Sequence, residues 1–389
     1  MKLPIIYLKA GKERSVQRFH PWIFSGAIDK INGEPADGDV VKVADGGGNI
    51  LATGHYQKAS ITVRVLFFGD AMIDNDFWDE AFAQCFAHRR TVGFPSKETN
   101  IFRLVHAEGD SLPGLVVDVY GSTAVVQCHS HGMYKARQAI AESIVRKSDG
   151  LIKNVFDKSS ETLGKNAGND FLVGELIRDD YFENGHQFLI DFQSGQKTGF
   201  FIDQRDNREL FSRYSANKNV LNTFCYTGGF SVYALDKKAN HVDSIDSSKK
   251  AIELTISNIE LNGFAGEEHN AIVADVMEWM KGNEGAYDLI VLDPPAFAKH
   301  MDARHKAVQA YKRINRMAME QIAADGILFT FSCSQVVDRE LFRNTVTAAA
   351  IEAGREVVIL HQLTQPADHP VSIYHPEGEY LKGLVVLVR

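Results

Sequence analysis

The stretch NVLNTFCYTGGFSVYAL, running from Asn219 to Leu235, decides how the C-terminal half of this chain folds. A short apolar run, NVLNTF, reads as a strand and meets a turn at Thr227, Gly228 and Gly229 that feeds directly into a helical segment. Glycines in that position let a ligand come close to the backbone. Four more apolar runs follow at strand length: HVDSID (241–246), NAIVAD (270–275), YDLIVLD (287–293) and GILFTF (326–331). Helical segments separate them. Strand and helix in alternation from residue 193 onward predict an α/β fold with a doubly wound, Rossmann-like parallel sheet.

Upstream the rhythm differs. Residues 1–72 hold short apolar runs divided by NGEPADGD, ADGGGN and similar turns, and ITVRVLFFG alternates at Ile61, Val63 and Val65; this reads as a small β-rich domain. Residues 73–192 combine the helix DNDFWDEAFAQCFAHRR, capped by Asp and striped with Trp78, Phe82, Cys85 and Phe86, with the strands GLVVDVYG, TAVVQCH and FLIDF. That is a middle α/β domain with a packed core and no visible chemistry. A chain of 389 residues accommodates these three domains, 1–72, 73–192 and 193–389.

Composition narrows the class. The chain is 44% hydrophobic and 24% charged, as expected of an ordered globular protein. The N-terminal MKLPIIYLKAGKERS is too short in apolar length for a secretion signal or membrane span, so a cytoplasmic protein is expected. Cys85, Cys128, Cys225 and Cys333 form no C-x-x-C pair, which argues for reduced thiols and against a structural zinc site. No metal is expected from the ligand spacings. A net charge of −8 gives no global attraction to nucleic acid, so a polyanion would need a local patch; Lys9, Lys12, Arg14 and Arg18 supply one, with His20 and Trp22 beside it.

In a doubly wound sheet, ligands bind at the carboxyl ends of the strands, so those residues are the ones to read. The first strand carries the glycine turn, whose spacing is not G-x-G-x-x-G and so weakens a dinucleotide reading. Asp246 ends the second strand, where a carboxylate accepts both hydrogen bonds of a ribose diol, or caps the next helix. Asp275 ends the third, within reach of an adenine amino group. Asp293 ends the fourth and opens DPPAF, in which two prolines with fixed φ and no N–H make a rigid wall. Cys333 ends the fifth between Ser332 and Ser334; alone, it reads as a small packed hydrophobe.

Together these stations resemble the class I S-adenosylmethionine-dependent methyltransferases, in which Asp-Pro-Pro-x-Phe lies against the atom to be methylated. GFFIDQRDNR (199–208), NTFCYTGGF, DPPAF, FSCS (331–334), the tail PADHPVSIYHPEGEYLKG (366–383) and the N-terminal KAGKERSVQRFHPWIFSGAI (9–28) are similar in order and spacing to the RlmI-like bacterial 23S rRNA cytosine-5 methyltransferases, over the whole chain. The resemblance implies an N-terminal PUA RNA-binding domain, a middle α/β domain and a C-terminal methyltransferase domain. It implies S-adenosylmethionine as cofactor, large-subunit rRNA as substrate, and allows a homodimer.

Residue by residue, the resemblance implies that Gln204, Phe224, Tyr226, Thr227, Gly228 and Gly229 line the methionine end of the cofactor, Asp246 and Ser247 its ribose, and Asp275 and Val276 its adenine. Pro294, Pro295 and Phe297 would face the base, and Lys9, Lys12, Arg14 and Arg18 the RNA. Cytosine C5 is a poor nucleophile, and a thiolate adding to C6 makes it enamine-like. Cys333 is expected as that nucleophile and Asp293 as the group holding the N3/N4 edge, while Cys225 is expected to be structural. The base that removes the C5 proton is not identified by sequence: Asp368, His369 and Lys299 are candidate supporting groups, a water could serve instead, and His369 taken alone reads as a structural hydrogen bonder. The rival readings are a methyltransferase acting on a guanine ring nitrogen or an exocyclic amine, which needs no thiol, and an RNA-binding relative without activity.

Overall fold

The computed structural model describes residues 3–389 apart from 165, 166, 178, 265, 283–286 and 299. The expectation for Lys299 therefore lies outside the described residues. The chain divides into two compact units, Met1–Phe182 with Ile190–Ile202 and Ala367–Gly378, and Glu183–Leu189 with Asp203–Pro366 and Glu379–Arg389. Among the described residues no helix is long and apolar enough to cross a membrane.

The first unit contains two sheets. Residues 5–67 build a six-stranded sheet in the order Trp22–Phe24, Ile61–Phe67, Ile50–Tyr56, Val40–Ala44, Ile5–Leu8, Ile28–Asn32. Its alternating strands send Ile6, Leu8, Val41, Val43, Val63 and Val65 into one core. A five-stranded sheet follows, from Ile101–His106 at one edge to Asn169–Val173 at the other. Helices Asn75–Thr91 and His131–Lys147 belong to its core. Asp74 caps the first helix by accepting from the Phe77 amide at 3.1 Å, and Trp78, Phe82, Cys85 and Phe86 are buried as the stripe predicts. FLIDF is not a strand as expected: strand structure ends at Phe188. Asp191 turns the chain instead, accepting from the Ser194 amide at 2.9 Å.

The second unit carries the sheet foreseen from Asn219 onward. Its strands are β1 (Asn219–Thr223), β2 (His241–Asp246), β3 (His269–Val273), β4 (Tyr287–Leu292), β5 (Ile322–Ser332), β6 (Val357–Leu363) and β7 (Lys382–Val388). They lie in the order β3-β2-β1-β4-β5-β7-β6, so the five expected strands are joined by two that the sequence pattern did not separate. β1 to β5 are parallel, whereas β7 runs antiparallel between β5 and β6. Strand order reverses beside β1, which opens a crevice at the carboxyl ends of β1 and β4. The core beneath includes Leu221, Ile245, Ile290, Leu292, Leu328 and Val386. β1, β2, β4 and β7 are buried along most of their length, which is why the first three read as apolar runs without alternation, whereas edge strands β3 and β6 are partly or largely exposed.

Candidate active site

The turn after β1 is built by backbone conformation. Phe224, Tyr226 and Gly228 all have positive φ, at 54°, 49° and 77°. Helix Gly229–Asp236 starts immediately after. A Cβ on Gly228 would sit 2.7 Å from Thr255 Cγ2, and one on Gly229 would sit 2.9 Å from Arg208 Cδ. Both glycines are therefore already required by packing against the protein's own side chains, apart from any ligand. Arg208 is held in turn by a bidentate pair to buried Glu183, both contacts at 2.7 Å, and Tyr233 Oη donates to the same carboxylate at 3.0 Å. Arg208's pKa is raised by that carboxylate in spite of burial. Gln204 is buried at the start of helix Arg205–Ser212, and its Oε1 accepts from Asn207 Nδ2 at 2.6 Å.

Asp246 ends β2 as expected, half-buried beside exposed Ser247. One oxygen accepts from the Tyr226 amide at 3.1 Å and the other from the Ser248 amide at 2.8 Å. Two amides fix the carboxylate and leave each oxygen a further lone pair. The helix cap is not Asp246 but Ser248, which accepts from the Ala251 amide. Asp275 differs from its expected place at a strand end, since β3 stops at Val273. It is exposed, with Oδ1 accepting from the Glu278 amide at 3.0 Å, in front of helix Val276–Gly282; Val276 itself is buried. An adenosyl group fits this donor and acceptor set, with oriented or exposed carboxylates on neighbouring strands and a turn of left-handed backbone between them.

Asp293 and Cys333 leave the same end of adjacent strands, because Leu292 of β4 pairs with Thr330 of β5. Asp293 is half-buried, Pro294 buried and Pro295 exposed. Phe297 packs on Tyr311 with ring centroids 4.7 Å apart. Ser334 Oγ receives the Ala298 amide at 3.4 Å and lies 3.1 Å from Tyr311 Oη, so the two serines around Cys333 secure the loops. Ser332 Oγ in turn receives the Ser334 amide at 3.4 Å. Cys333 alone of the four cysteines is only partly buried.

Beside it lies a residue the sequence reading passed over. Lys382, only 4% exposed, starts β7 opposite Ser332 and donates from Nζ to the Ser334 carbonyl at 2.8 Å and the Tyr380 carbonyl at 2.7 Å. Burial lowers its pKa to about 8, and the charge of Cys333 pulls the other way. It remains an ammonium at neutral pH, next to a thiol. The sequence signal is a lysine at the head of an apolar strand, LKGLVVLV.

Cys225 is buried, its amide bonded to the Ile245 carbonyl at 3.0 Å and its Sγ 3.6 Å from Thr255 Oγ1. Burial pushes its thiol up to about 12. Asp368 and His369 are fully buried in the first unit, where Asp368 Oδ2 accepts from the Arg103 amide at 2.9 Å and Oδ1 lies 3.0 Å from His369 Nδ1. Lys9, Lys12, Arg14 and Arg18 are exposed around helix Glu13–Gln17, next to exposed Phe19 and Phe24.

Comparison with known proteins agrees with this architecture. A family model for S-adenosylmethionine-dependent methyltransferases matches residues 162–373, and one for PUA-like domains matches residues 6–68. The ribosomal RNA large subunit methyltransferase I of Tolumonas auensis is 40% identical over 399 residues, covering 98% of this chain and 98% of that one. SMU.776, a proposed methyltransferase solved with SAH, superposes with a TM-score of 0.85 at 22% identity over 100% of both chains. The tRNA m1G37 methyltransferase of Methanocaldococcus jannaschii gives a TM-score of 0.50 at 21% identity, covering 75% of this chain and 77% of that one. At these identities the two solved structures speak to fold alone.

Proposed function

We propose the reaction of this chain from the premise that it belongs to the S-adenosylmethionine-dependent methyltransferase family with a PUA-like domain, whose curated relatives are ribosomal RNA large subunit methyltransferases. It is accordingly an S-adenosylmethionine-dependent rRNA methyltransferase. The finer reading is methylation of cytosine C5 in large-subunit rRNA through a cysteine nucleophile. One observation carries it: Cys333 stands partly open at the end of β5, between the Asp293-Pro-Pro turn and a buried ammonium.

The residues supply the chemistry in order. Lys382 favours the thiolate of Cys333, because a buried cation favours a neighbouring anion. The thiolate adds to C6 of a cytosine drawn out of its stack, and the electron pair of the C5–C6 double bond moves toward C5. Asp293 faces the N3/N4 edge and favours the proton at N3 as the adduct forms. Pro294, Pro295 and Phe297, the last braced by Tyr311, limit where the ring lies. S-adenosylmethionine, when bound, supplies the methyl electrophile; Gln204 and the turn Phe224–Gly229 would hold its methionine end, Asp246 and Ser247 its ribose, Asp275 and Val276 its adenine. Loss of the C5 proton then expels the thiolate and restores the aromatic ring.

Work is shared among three regions on this reading. Residues 1–72 bind RNA through Lys9, Lys12, Arg14 and Arg18, with exposed Phe19 and Phe24 as stacking faces. Residues 73–192 form the middle domain and 193–389 the methyltransferase. The test is methyl transfer from labelled S-adenosylmethionine to unmodified large-subunit rRNA, with the product nucleoside identified by mass spectrometry. Label in 5-methylcytidine is expected. Label in a methylated guanosine would replace this reading with ring-nitrogen methylation, for which the same fold serves and Cys333 is not needed.

A further inference from the structure

The first unit brings together three potential metal ligands from opposite ends of the sequence. His20, His375 and Glu377 each offer one ligand atom, and these atoms all lie within 4.8 Å of one another. Local structure puts them there. His20 follows helix Glu13–Gln17, with its amide bonded to the Ser15 carbonyl at 3.0 Å. His375 and Glu377 sit in a tight turn: the His375 amide donates to the Ser372 carbonyl at 2.9 Å, and residues 376–378 form one 3-10 turn.

The second observation concerns His375 itself. Its side chain is 2% exposed, yet Nδ1 has no hydrogen-bond partner. Glu377 Oε2 lies 3.2 Å from that nitrogen, close enough for an ion pair but outside hydrogen-bonding geometry. An unsatisfied buried imidazole nitrogen is destabilising, and a bound cation would satisfy it. Trp22 covers the ring, with centroids 4.3 Å apart, and Trp22 is itself pinned by Nε1 donating to Glu108 at 2.8 Å.

His20 is prepared in a complementary way. Its Nδ1 lies 3.1 Å from both the amide and the carbonyl of Trp22. The amide donates to Nδ1 when that nitrogen is unprotonated, and the carbonyl accepts from it when Nδ1 carries the proton; the second tautomer leaves Nε2 a lone pair for a ligand. Glu377 is exposed, with its carboxylate already beside His375.

We propose that His20, His375 and Glu377 form a binding site for one divalent transition cation of zinc's class, with a fourth position left for water. Two imidazoles and one carboxylate match the preference of such ions and not that of magnesium or calcium, which take oxygen ligands. The ion would clip the turn 372–378 to the segment after the first helix, closing a loop of nearly the whole chain. Binding of the ion does not depend on the chemistry proposed for Cys333.

The test is a zinc titration of the chelator-treated, full-length protein by calorimetry, repeated with cobalt(II), whose visible absorption reports its ligands. Expected are one equivalent bound per chain, a higher melting temperature with zinc, and binding weakened roughly tenfold or more in both Glu377→Gln and His20→Gln. Glu377 is at the surface, so that variant should fold normally even if a change at buried His375 does not. Binding unchanged in both variants, binding abolished by alkylating Cys333, or no binding by the wild type would each overturn the site.

Discussion

Two thiols end parallel strands of the same sheet and meet opposite surroundings. Cys225, after β1, is sealed under a turn, faces the Thr255 hydroxyl, and has its thiol pushed up to about 12 by burial. Cys333, after β5, is partly open and lies beside the ammonium of Lys382. Position at a strand end makes a cysteine available for chemistry; the neighbouring charge decides whether it reacts. In the sealed case the turn needs an uncharged, compact filler. In the open one the sheet spends a buried lysine on the spot.

The contrast is most sharply broken by deleting each sulfur. Cys333→Ala should lower methyl transfer to rRNA by roughly a thousandfold or more, as loss of a nucleophile does, while leaving S-adenosylmethionine binding by calorimetry intact. Cys225→Ala should stay within about threefold of wild type in the same assay. Equal losses in the two variants would mean that both sulfurs are packing.

Next in size is the charge beside Cys333. Lys382→Met should cost roughly a hundredfold in turnover, the scale of losing one electrostatic partner in an active site. Lys382→Arg, which keeps the charge, should recover part of it. The wild-type rate should fall as pH rises through about 8, because the ammonium is then lost and its support for the thiolate with it. That falling limb should move in the arginine variant, and its persistence unchanged in Lys382→Met would detach the lysine from the thiol.

Iodoacetamide supplies a readout independent of RNA. In the native enzyme one thiol of four should react quickly near pH 7, and peptide mapping should find it at Cys333. Cys85, Cys128 and Cys225 are all buried with raised pKa values and should react only after denaturation. The smallest effect concerns the sealed side. Gly228→Ala forces a side chain at φ 77° and within 2.7 Å of Thr255, the residue facing Cys225, and should destabilise the protein by about 1–3 kcal/mol in chemical denaturation.

Much of this was legible in the sequence because strand ends are local. NTFCYTGG, Asp246 and DPPAF each announce themselves within a few residues, and continuous apolar runs mark strands buried on both faces. What the sequence hid depends on distant partners. Lys382 reaches the Ser334 carbonyl, next in the chain to Cys333, only because β7 runs antiparallel beside β5, a pairing across about fifty positions that no local pattern encodes. The same holds for His20 with His375, whose separation defeats any reading by ligand spacing. Asp275 misled in a different way: a carboxylate two residues beyond a strand caps the following helix, so its local role is filled whether or not it meets a ligand. The glycines at 228 and 229 likewise answer first to Thr255 and Arg208.

The most direct measurement replaces cytidine in the rRNA substrate with 5-fluorocytidine. Fluorine at C5 cannot depart as the proton does, so the adduct between sulfur and C6 should persist once the methyl has been transferred. A covalent protein–RNA complex formed only with S-adenosylmethionine present, and mapped by peptide mass to Cys333, is the predicted result. Absence of any such complex with an enzyme that methylates ordinary rRNA, or a complex mapped to Cys225, would contradict the account.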